Sequence, residues 1–321
     1  MIRLARRALC LSLAAPTLAR AQVWTPSRPV VIVVPYAAGG SADALARPLA
    51  DRMAARFGSP VVIENRPGAA GAIGAENVAR ATPDGQRLYF SSGGTMTVGP
   101  LTTRNLPYRA EDFAPVALLG TLPYAVAARQ GMPETIQDLV ALVRARPGRI
   151  SMGGSGGASI ELVVAMLAAR LDLDWIAVSY RGDSAAVSDL LSGALDAAVL
   201  GGPPALAAHR SGRARLLAWT GAARVPGLPD QPVLTETWPG LVAEGWFGLH
   251  APARTPPEAV ARLNAAATGA LREDPGLVER LAGEGLVIAR PLSPEAFGRF
   301  VAEDAQRLAA ILARLGRLAD K

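Results

Sequence analysis

Four strand-like apolar runs, each ending in a loop of Gly, Ser, Thr and other small residues, constrain the fold of this 321-residue chain most strongly. In three of the four, a helix-like run follows the loop directly. Such loops present backbone N–H groups and hydroxyls at helix N-termini, where an anion is held by hydrogen bonds and the helix dipole. The runs and their loops span residues 30–43, 88–95, 150–159 and 176–184. They contain neither His nor Cys, which favours binding without chemistry.

The four runs belong to two stretches in which strands and helices alternate. The first predicts strands at 30–34, 61–64 and 88–91 and helices at 42–57 and 73–80, and the second predicts strands at 124–128, 150–152, 176–179, 197–200 and 216–220. A strand at 245–252 and helices at 257–272, 275–283 and 294–318 follow. This alternation indicates parallel sheets with right-handed crossovers. It predicts two lobes and a cleft, with ligands beyond the carboxyl ends of the strands.

The first 21 residues are predicted to be an export signal. Residues 1–7 are basic, residues 8–18 are apolar, and Ala19-Arg-Ala21 forms a small-x-small cleavage site before Gln22. We therefore expect a periplasmic protein, cleaved near Ala21. The signal carries four arginines and no acid, so its removal lowers the formal charge from +6 to +2. With this charge and no basic cluster among aromatics, no nucleic-acid partner is expected. The single cysteine, Cys10, lies in the signal.

The strongest enzymatic pattern is the G-x-S-x-G sequence around Ser155, which follows a strand as a nucleophile elbow does. A hydrolase would also need a histidine base, and the chain has only His209 and His250. The pattern predicts a surface position at a helix end for His209 and a core position for His250. We therefore expect no catalytic residue, while a secreted serine hydrolase using Ser155 stays open as an alternative. The sequence has no spaced metal-ligand cluster and no dinucleotide fingerprint, so no metal or cofactor is expected.

Two of the loops carry charged side chains whose roles differ. Asp43 stands near a predicted helix start, where a structural role is expected. Arg181 could clamp a carboxylate bidentately, or it could pair with Asp183 at the surface. Asp183 could instead meet an amino group of a ligand. These alternatives stay open on the sequence alone.

From about Trp24 to its C-terminus, the chain resembles the Bug receptors, the periplasmic solute-binding component of tripartite tricarboxylate transporters. The resemblance rests on many spaced motifs in order. They are Pro-Ser-Arg-Pro at 26–29, Val-Val-Pro-Tyr-Ala-Ala-Gly-Gly-Ser-Ala-Asp at 33–43, Val-Ile-Glu-Asn-Arg-Pro-Gly-Ala-Ala-Gly at 62–71, Ala-Thr-Pro-Asp-Gly at 81–85, Asp-Phe-Ala-Pro-Val at 112–116, Val-Ser-Tyr-Arg-Gly at 178–182, Leu-Leu-Ser-Gly at 190–193, Leu-Pro-Asp-Gln-Pro-Val at 228–233 and Trp-Phe-Gly at 246–248.

The resemblance implies an α/β, two-lobed periplasmic-binding-protein fold of the type II-like, Venus flytrap kind, each lobe a mainly parallel sheet flanked by helices. Lobe 1 would comprise residues 22–122 and 248–321, and lobe 2 residues 123–247, with crossing strands near 117–125 and 243–250. The implied function is capture of a small organic carboxylate by a monomeric receptor that delivers it to integral-membrane permease subunits. A ligand-sensing subunit for a membrane sensor kinase is an alternative.

The resemblance also implies the ligand contacts. Carried over by position, they are Tyr36, Ala37, Gly40, Ser41, Ser92, Thr95, Ser155, Ser159, Tyr180, Gly182 and Asp183. Two departures stand out, because Gly99-Pro100 replaces a frequent Asn-Pro and Asp183 replaces a small residue. An anionic Asp183 would repel a plain dicarboxylate unless Arg181 neutralised it. An amino- or amide-bearing carboxylate is therefore a plausible ligand.

Overall fold

The computed structural model describes residues 24–155, 158–180 and 182–316. The predicted export signal, Arg181 and the side chain of Ser155 lie outside this description. In the part that is described, no helix has the length and apolar character that a membrane crossing requires.

Within these ranges the chain forms eleven strands and eleven α-helices. The strands are β1 Val30–Val34, β2 Val61–Asn65, β3 Arg87–Ser92, β4 Phe113–Pro123, β5 Ala125–Arg129, β6 Ser151–Ser155, β7 Ile176–Tyr180, β8 Ala197–Leu200, β9 Ala214–Trp219, β10 Glu244–Pro252 and β11 Val287–Ile288. The helices are α1 Ser41–Phe57, α2 Ala72–Ala79, α3 Gly99–Thr102, α4 Ile136–Ala145, α5 Ala158–Leu171, α6 Asp183–Ser192, α7 Gly202–Arg210, α8 Leu234–Thr237, α9 Pro257–Arg272, α10 Pro275–Ala282 and α11 Pro294–Arg314. A π-helical turn, Gly94–Val98, follows β3.

The strands form two sheets, which define two lobes. The sheet of the first lobe has the order β11-β4-β10-β3-β1-β2, and that of the second has the order β7-β6-β8-β5-β9. The apolar run of β1 is buried on both faces, as its composition predicts. Val30, Ile32 and Val34 pack into a core shared with α1 and α9. Val33 packs on the opposite face with Tyr89.

Both sheets are mixed, so the two-lobed α/β class is confirmed but the expectation of mainly parallel sheets is wrong. β1 is parallel to β2 and β3, and β6 is parallel to β7 and β8. β10 is antiparallel to β3 and β4, and β5 is antiparallel to β8 and β9. The reason lies in the crossings between the sheets. β4 carries the chain out of the first sheet and β10 carries it back, so the two strands run in opposite directions.

Where the chain passes from the first sheet to the second, a single residue, Tyr124, separates β4 from β5. The chain returns at Ala243, directly before β10. The lobe boundaries drawn at residues 122/123 and 247/248 stay predictions.

Candidate functional site

The first loop, which follows β1, is held in shape by the buried carboxylate of Asp43. Its Oδ2 accepts hydrogen bonds from the Gly39 N–H and from Arg47 Nε, both at 2.9 Å. Asn65 Nδ2 donates to Asp43 Oδ1 at 2.9 Å and to the Tyr36 carbonyl at 3.1 Å. Burial opposes ionisation of Asp43, but these hydrogen bonds together hold its pKa below the ordinary value. The structural role predicted for Asp43 is confirmed.

Other residues of the first loop are accessible to solvent. Ala37 and Gly40 are exposed, and Ser41 is half-buried at the first position of α1. Gly40 has extended backbone at the N-cap, without a side chain to satisfy the first N–H groups of the helix. A helix start of this kind is an anion-binding position.

At the second loop, Ser92 and Thr95 form a cluster of hydrogen-bonded hydroxyls with Tyr36 of the first loop. Tyr36 Oη and Ser92 Oγ are 2.6 Å apart. The Thr95 N–H donates to Ser92 Oγ at 3.3 Å, and the Ser92 N–H donates to Thr95 Oγ1 at 3.2 Å. Ser92 and Thr95 are buried, and burial raises the pKa of Tyr36 despite its bond to Ser92. This cluster is neutral, so it can hold a carboxylate only through hydrogen bonds.

Residues of the second lobe approach both of these loops. A methyl group built on Gly94 would lie 3.1 Å from Ser159 Oγ and 3.5 Å from Ser92 Oγ. A methyl group on Gly201 would lie 3.1 Å from both Ser41 Oγ and Asp183 Oδ2. The structure therefore brings predicted site residues of the two lobes to common spaces, Ser92 with Ser159 and Ser41 with Asp183.

Gly201 itself was not among the predicted residues, although the sequence carried a signal for it. Gly201-Gly202 follows the apolar strand β8 and precedes α7, as in the other strand–glycine–helix loops. The Gly201 N–H donates to Asp183 Oδ1 at 3.3 Å, which ties the loop after β8 to the start of α6. It is a fifth strand-end loop at the same cleft.

In the fourth loop, Tyr180 makes a hydrogen bond within its own lobe. Tyr180 Oη donates to Asp189 Oδ2 on α6 at 2.8 Å, so its hydroxyl is engaged within its own lobe. Burial, this hydrogen bond and the charge of Asp189 raise the pKa of Tyr180 to about 12. Gly182 precedes α6 with extended backbone, and apart from its chain neighbours no described residue comes within 4 Å of a methyl group built on it. Ser155 is paired with Tyr180 through the backbone of β6 and β7.

The two histidines lie elsewhere. His250 is buried in β10, where its Nδ1 and Ser91 Oγ are 2.7 Å apart, and burial lowers its pKa to about 3. This confirms the core position. His209 stands near the end of α7, as predicted, but it is half-buried and its Nδ1 accepts from the Leu216 N–H at 3.4 Å. His250 belongs to the first sheet, whereas Ser155 belongs to the second.

Two further features bear on the type of site. Across the described ranges, no group of three or more His, Cys, Asp or Glu is arranged to hold a metal. A groove of about 1000 Å³ runs along α5 and β7 on the second lobe. Among the predicted ligand contacts whose side chains the structure describes, none lines that groove.

Two mixed sheets, joined by antiparallel crossing strands and facing each other through glycine- and hydroxyl-rich loops, define a periplasmic binding protein. An R. palustris protein whose structure was solved with adipate shares this fold, with a TM-score of 0.85 and 30% identity over 92% of this chain and 99% of that chain. MatC from Rhodopseudomonas palustris with bound malate has a TM-score of 0.79 and 32% identity over 89% and 99% of the two chains.

The family is shown by sequence as well. Residues 45–317 match the family model described as tripartite tricarboxylate transporter family receptor, and the chain belongs to this family. BugT of Bordetella pertussis is 33% identical over 298 residues, which cover 91% of this chain and 90% of BugT. The resemblance to the Bug receptors is thus confirmed.

Proposed function

We propose that this protein is an extracytoplasmic receptor that captures a small organic carboxylate between its lobes and delivers it to a tripartite tricarboxylate-type permease. The observation that carries the proposal is the approach of Ser159 to the Tyr36–Ser92–Thr95 hydroxyl cluster across the two lobes. Two related structures contain the carboxylates adipate and malate, which supports the ligand class.

The hydroxyl cluster would hold a carboxylate through neutral hydrogen-bond donors. A carboxylate takes hydrogen bonds from Ser92 and Thr95 and from the open start of α1. Hydrogen bonds to a charged group are each worth roughly 1.5–3 kcal/mol, more than bonds between neutral groups. Closure of the lobes excludes water and strengthens them. The receptor holds the ligand and releases it unchanged.

Asp183 refines the ligand class. Its Oδ2 borders the same space as Ser41, and it brings a negative charge to the cleft. A plain dicarboxylate would meet this charge with its second carboxylate, whereas an ammonium group would be attracted to it. We therefore propose a carboxylate that bears an amino or amide group.

The proposal has three further parts, which concern export, oligomeric state and the hinge. The export signal is removed near Ala21, and the mature protein acts in the periplasm as a monomer. The hinge lies where the chain crosses at residues 117–125 and 243–250, with lobe 2 formed by residues 123–247.

Matched ligand pairs test the proposal by isothermal titration calorimetry. Aspartate carries an ammonium group where malate carries a hydroxyl. 2-Aminoadipate differs from adipate only by an added ammonium group. We expect one-to-one binding of at least one pair, with the ammonium-bearing member bound more tightly. No heat from any of the four ligands would contradict the function, and tighter binding of malate and adipate would contradict the role given to Asp183.

A further inference from the structure

Two segments of the second lobe contact one turn of the first lobe, and both contacts are made by a glycine. The turn is formed by residues 282–285, between α10 and β11. A methyl group built on Gly202, the first residue of α7, would lie 2.4 Å from the Glu284 carbonyl oxygen. A methyl group built on Gly227 would lie 2.6 Å from each of two backbone atoms of the turn. Real side chains do not come this close, so the two lobes are in backbone contact at both points.

Each side of this contact is anchored in the core of its own lobe. Leu281 and Leu286, which flank the turn, pack in the core of the first sheet. Val225 and Leu228, which flank Gly227, pack in the core of the second sheet. A displacement at the contact is therefore passed on to the lobes, because neither segment is free to move alone.

We call residues 282–285, together with Gly202 and Gly227, the glycine seam. Two side chains join the lobes beside it. Arg210 Nη2 of α7 donates to the Gly283 carbonyl at 3.2 Å. Val287 of β11 packs against the core of the second lobe. The seam is thus a continuous contact between the lobes.

The glycine seam also adjoins the cleft. Gly202 follows Gly201, whose N–H donates to Asp183 Oδ1 and whose added methyl group would lie 3.1 Å from Ser41 Oγ. The separation at which the lobes meet on the seam therefore sets the separation between Ser41 of the first lobe and Asp183 of the second.

We propose that the glycine seam sets how far the lobes close, and that Gly202 and Gly227 are positioning residues for ligand binding. The proposal rests on the proposed function, because closure matters for binding only in a protein that takes a ligand between its lobes. Glycine permits the close approach of two backbones, and an added methyl group would hold the lobes farther apart. Neither glycine touches the ligand in this account.

Gly202→Ala and Gly227→Ala test the proposal by calorimetry with malate, aspartate, adipate and 2-aminoadipate. Neither glycine has a left-handed backbone, so alanine fits the conformation and only the contact changes. We expect each variant to raise Kd about 10-fold for every probe that the wild type binds, the scale of one overpacked methyl group. Gly276→Ala in α10, where the methyl group would meet only Asp274 Oδ1, at 3.5 Å, should leave Kd unchanged. An unchanged Kd in either seam variant would overturn the proposal.

The double variant distinguishes one shared seam from two local disturbances. Once one methyl group holds the lobes apart, the second has room, so the double variant should raise Kd by about 10-fold, as a single variant does. A rise of about 100-fold would overturn the proposal, because the effects of independent disturbances add in free energy.

Arg210→Met weakens the seam without adding bulk to it. It removes the hydrogen bond to the Gly283 carbonyl, so we expect Kd to rise about twofold. Arg213→Met is the matched control, because Arg213 Nη2 donates to the Leu191 carbonyl within its own lobe, at 3.3 Å. Where circular dichroism shows that an alanine variant fails to fold, this pair tests the proposal instead, and equal Kd values in the two arginine variants would contradict it.

Small-angle X-ray scattering of the ligand-free proteins gives a readout that needs no ligand. The radius of gyration should be larger in Gly202→Ala and Gly227→Ala than in the wild type and Gly276→Ala. If none of the four probes binds the wild type, the proposed function fails, while the radius of gyration still tests the seam. An unchanged radius of gyration in both seam variants would overturn the role given to the seam.

Discussion

The two halves of the cleft are built differently. In the first lobe, Tyr36, Ser92 and Thr95 form a neutral, buried cluster, and Asp43 holds the neighbouring loop from behind. In the second lobe the corresponding loops carry the charge of Asp183, and the hydroxyl of Tyr180 turns away to Asp189. The difference indicates a division of labour. On the function proposed above, the first half would supply a fixed set of donors for any carboxylate, whereas the second half would select among carboxylates and close over them.

Filling the space between the halves should have the largest effect. A side chain on Gly201 would point at Ser41 Oγ and Asp183 Oδ2, and the backbone there is extended, so valine fits the conformation. We expect Gly201→Val to weaken binding by about 100-fold or more, because several contacts are blocked at once. Each loss of about 1.4 kcal/mol of binding free energy raises Kd tenfold. Calorimetry measures the loss.

The control for this substitution is Gly276→Val in α10, where an added methyl group would meet only Asp274 Oδ1, at 3.5 Å. Equal affinity in Gly201→Val and wild type would show that the two halves do not meet around one ligand.

Removing the charge of the second half should change selectivity rather than abolish binding. Asp183→Asn should weaken binding of aspartate or 2-aminoadipate by about tenfold and strengthen binding of malate or adipate by a similar factor, the scale of one charged interaction. Competition titrations within each pair report the ratio directly. Asp172→Asn removes an exposed charge from the same lobe at a left-handed position that asparagine tolerates. A selectivity change of the same size in that control would assign the effect to overall charge.

Removing a hydroxyl from the first half of the cleft should weaken the binding of all ligands by the same factor. Ser92→Ala leaves Tyr36 Oη without its partner and takes a donor from the carboxylate, so we expect a loss of about 5- to 10-fold for every ligand that binds. The ratio within each matched pair should stay constant. Ser188→Ala, at an exposed position on α6, is the control. A loss confined to one member of a pair would contradict the division of labour.

The smallest effect at neutral pH should come from His250, in the core beneath the first half of the cleft. This prediction concerns the free energy of unfolding. His250 is hydrogen-bonded to Ser91, the residue before Ser92. Burial lowers the pKa of His250 to about 3 from an ordinary value near 6.5. The unfolded chain therefore binds a proton below about pH 6.5 that the folded protein does not bind until about pH 3. As the pH is lowered through that window, the free energy of unfolding should fall by on the order of 1 kcal/mol per pH unit.

Urea unfolding at several pH values measures this slope. Replacing the imidazole in His250→Leu should reduce it while lowering stability at pH 7, because Ser91 loses its partner. An unchanged slope in the variant would show that other groups carry the acid sensitivity of this lobe.

Local patterns predicted much of the fold. The apolar run of β1 and the four-residue recurrence of Leu45, Leu49 and Met53 placed the first strand and helix within about one residue of their observed bounds. The directions of β4, β5 and β10 were not predictable in this way, because they depend on where the chain crosses between sheets. The pairings of β5 with β8 and β9 join residues 69 to 94 positions apart, those of β4 with β10 join residues more than 100 apart, and neither leaves a local periodicity.

The candidate site shows the same limit. Strand-end glycines indicated the cleft, and the same signal at Gly201-Gly202 would have added the fifth loop. The burial of Tyr124 at the crossing has no such signal, since it depends on contacts with a threonine and a glycine about 100 residues away. For Tyr180, position predicted a ligand contact, but only the structure reveals the bond to Asp189.

A crystal structure of the protein grown with a carboxylate that it binds tests the central claim most directly. The account predicts one ligand between the lobes, with carboxylate oxygens within hydrogen-bond distance of Ser92 or Thr95 in the first lobe and of Ser159 in the second. An ammonium group, where the ligand has one, should face Asp183. A ligand seated instead in the groove along α5 and β7, with the cleft loops untouched, would contradict the account.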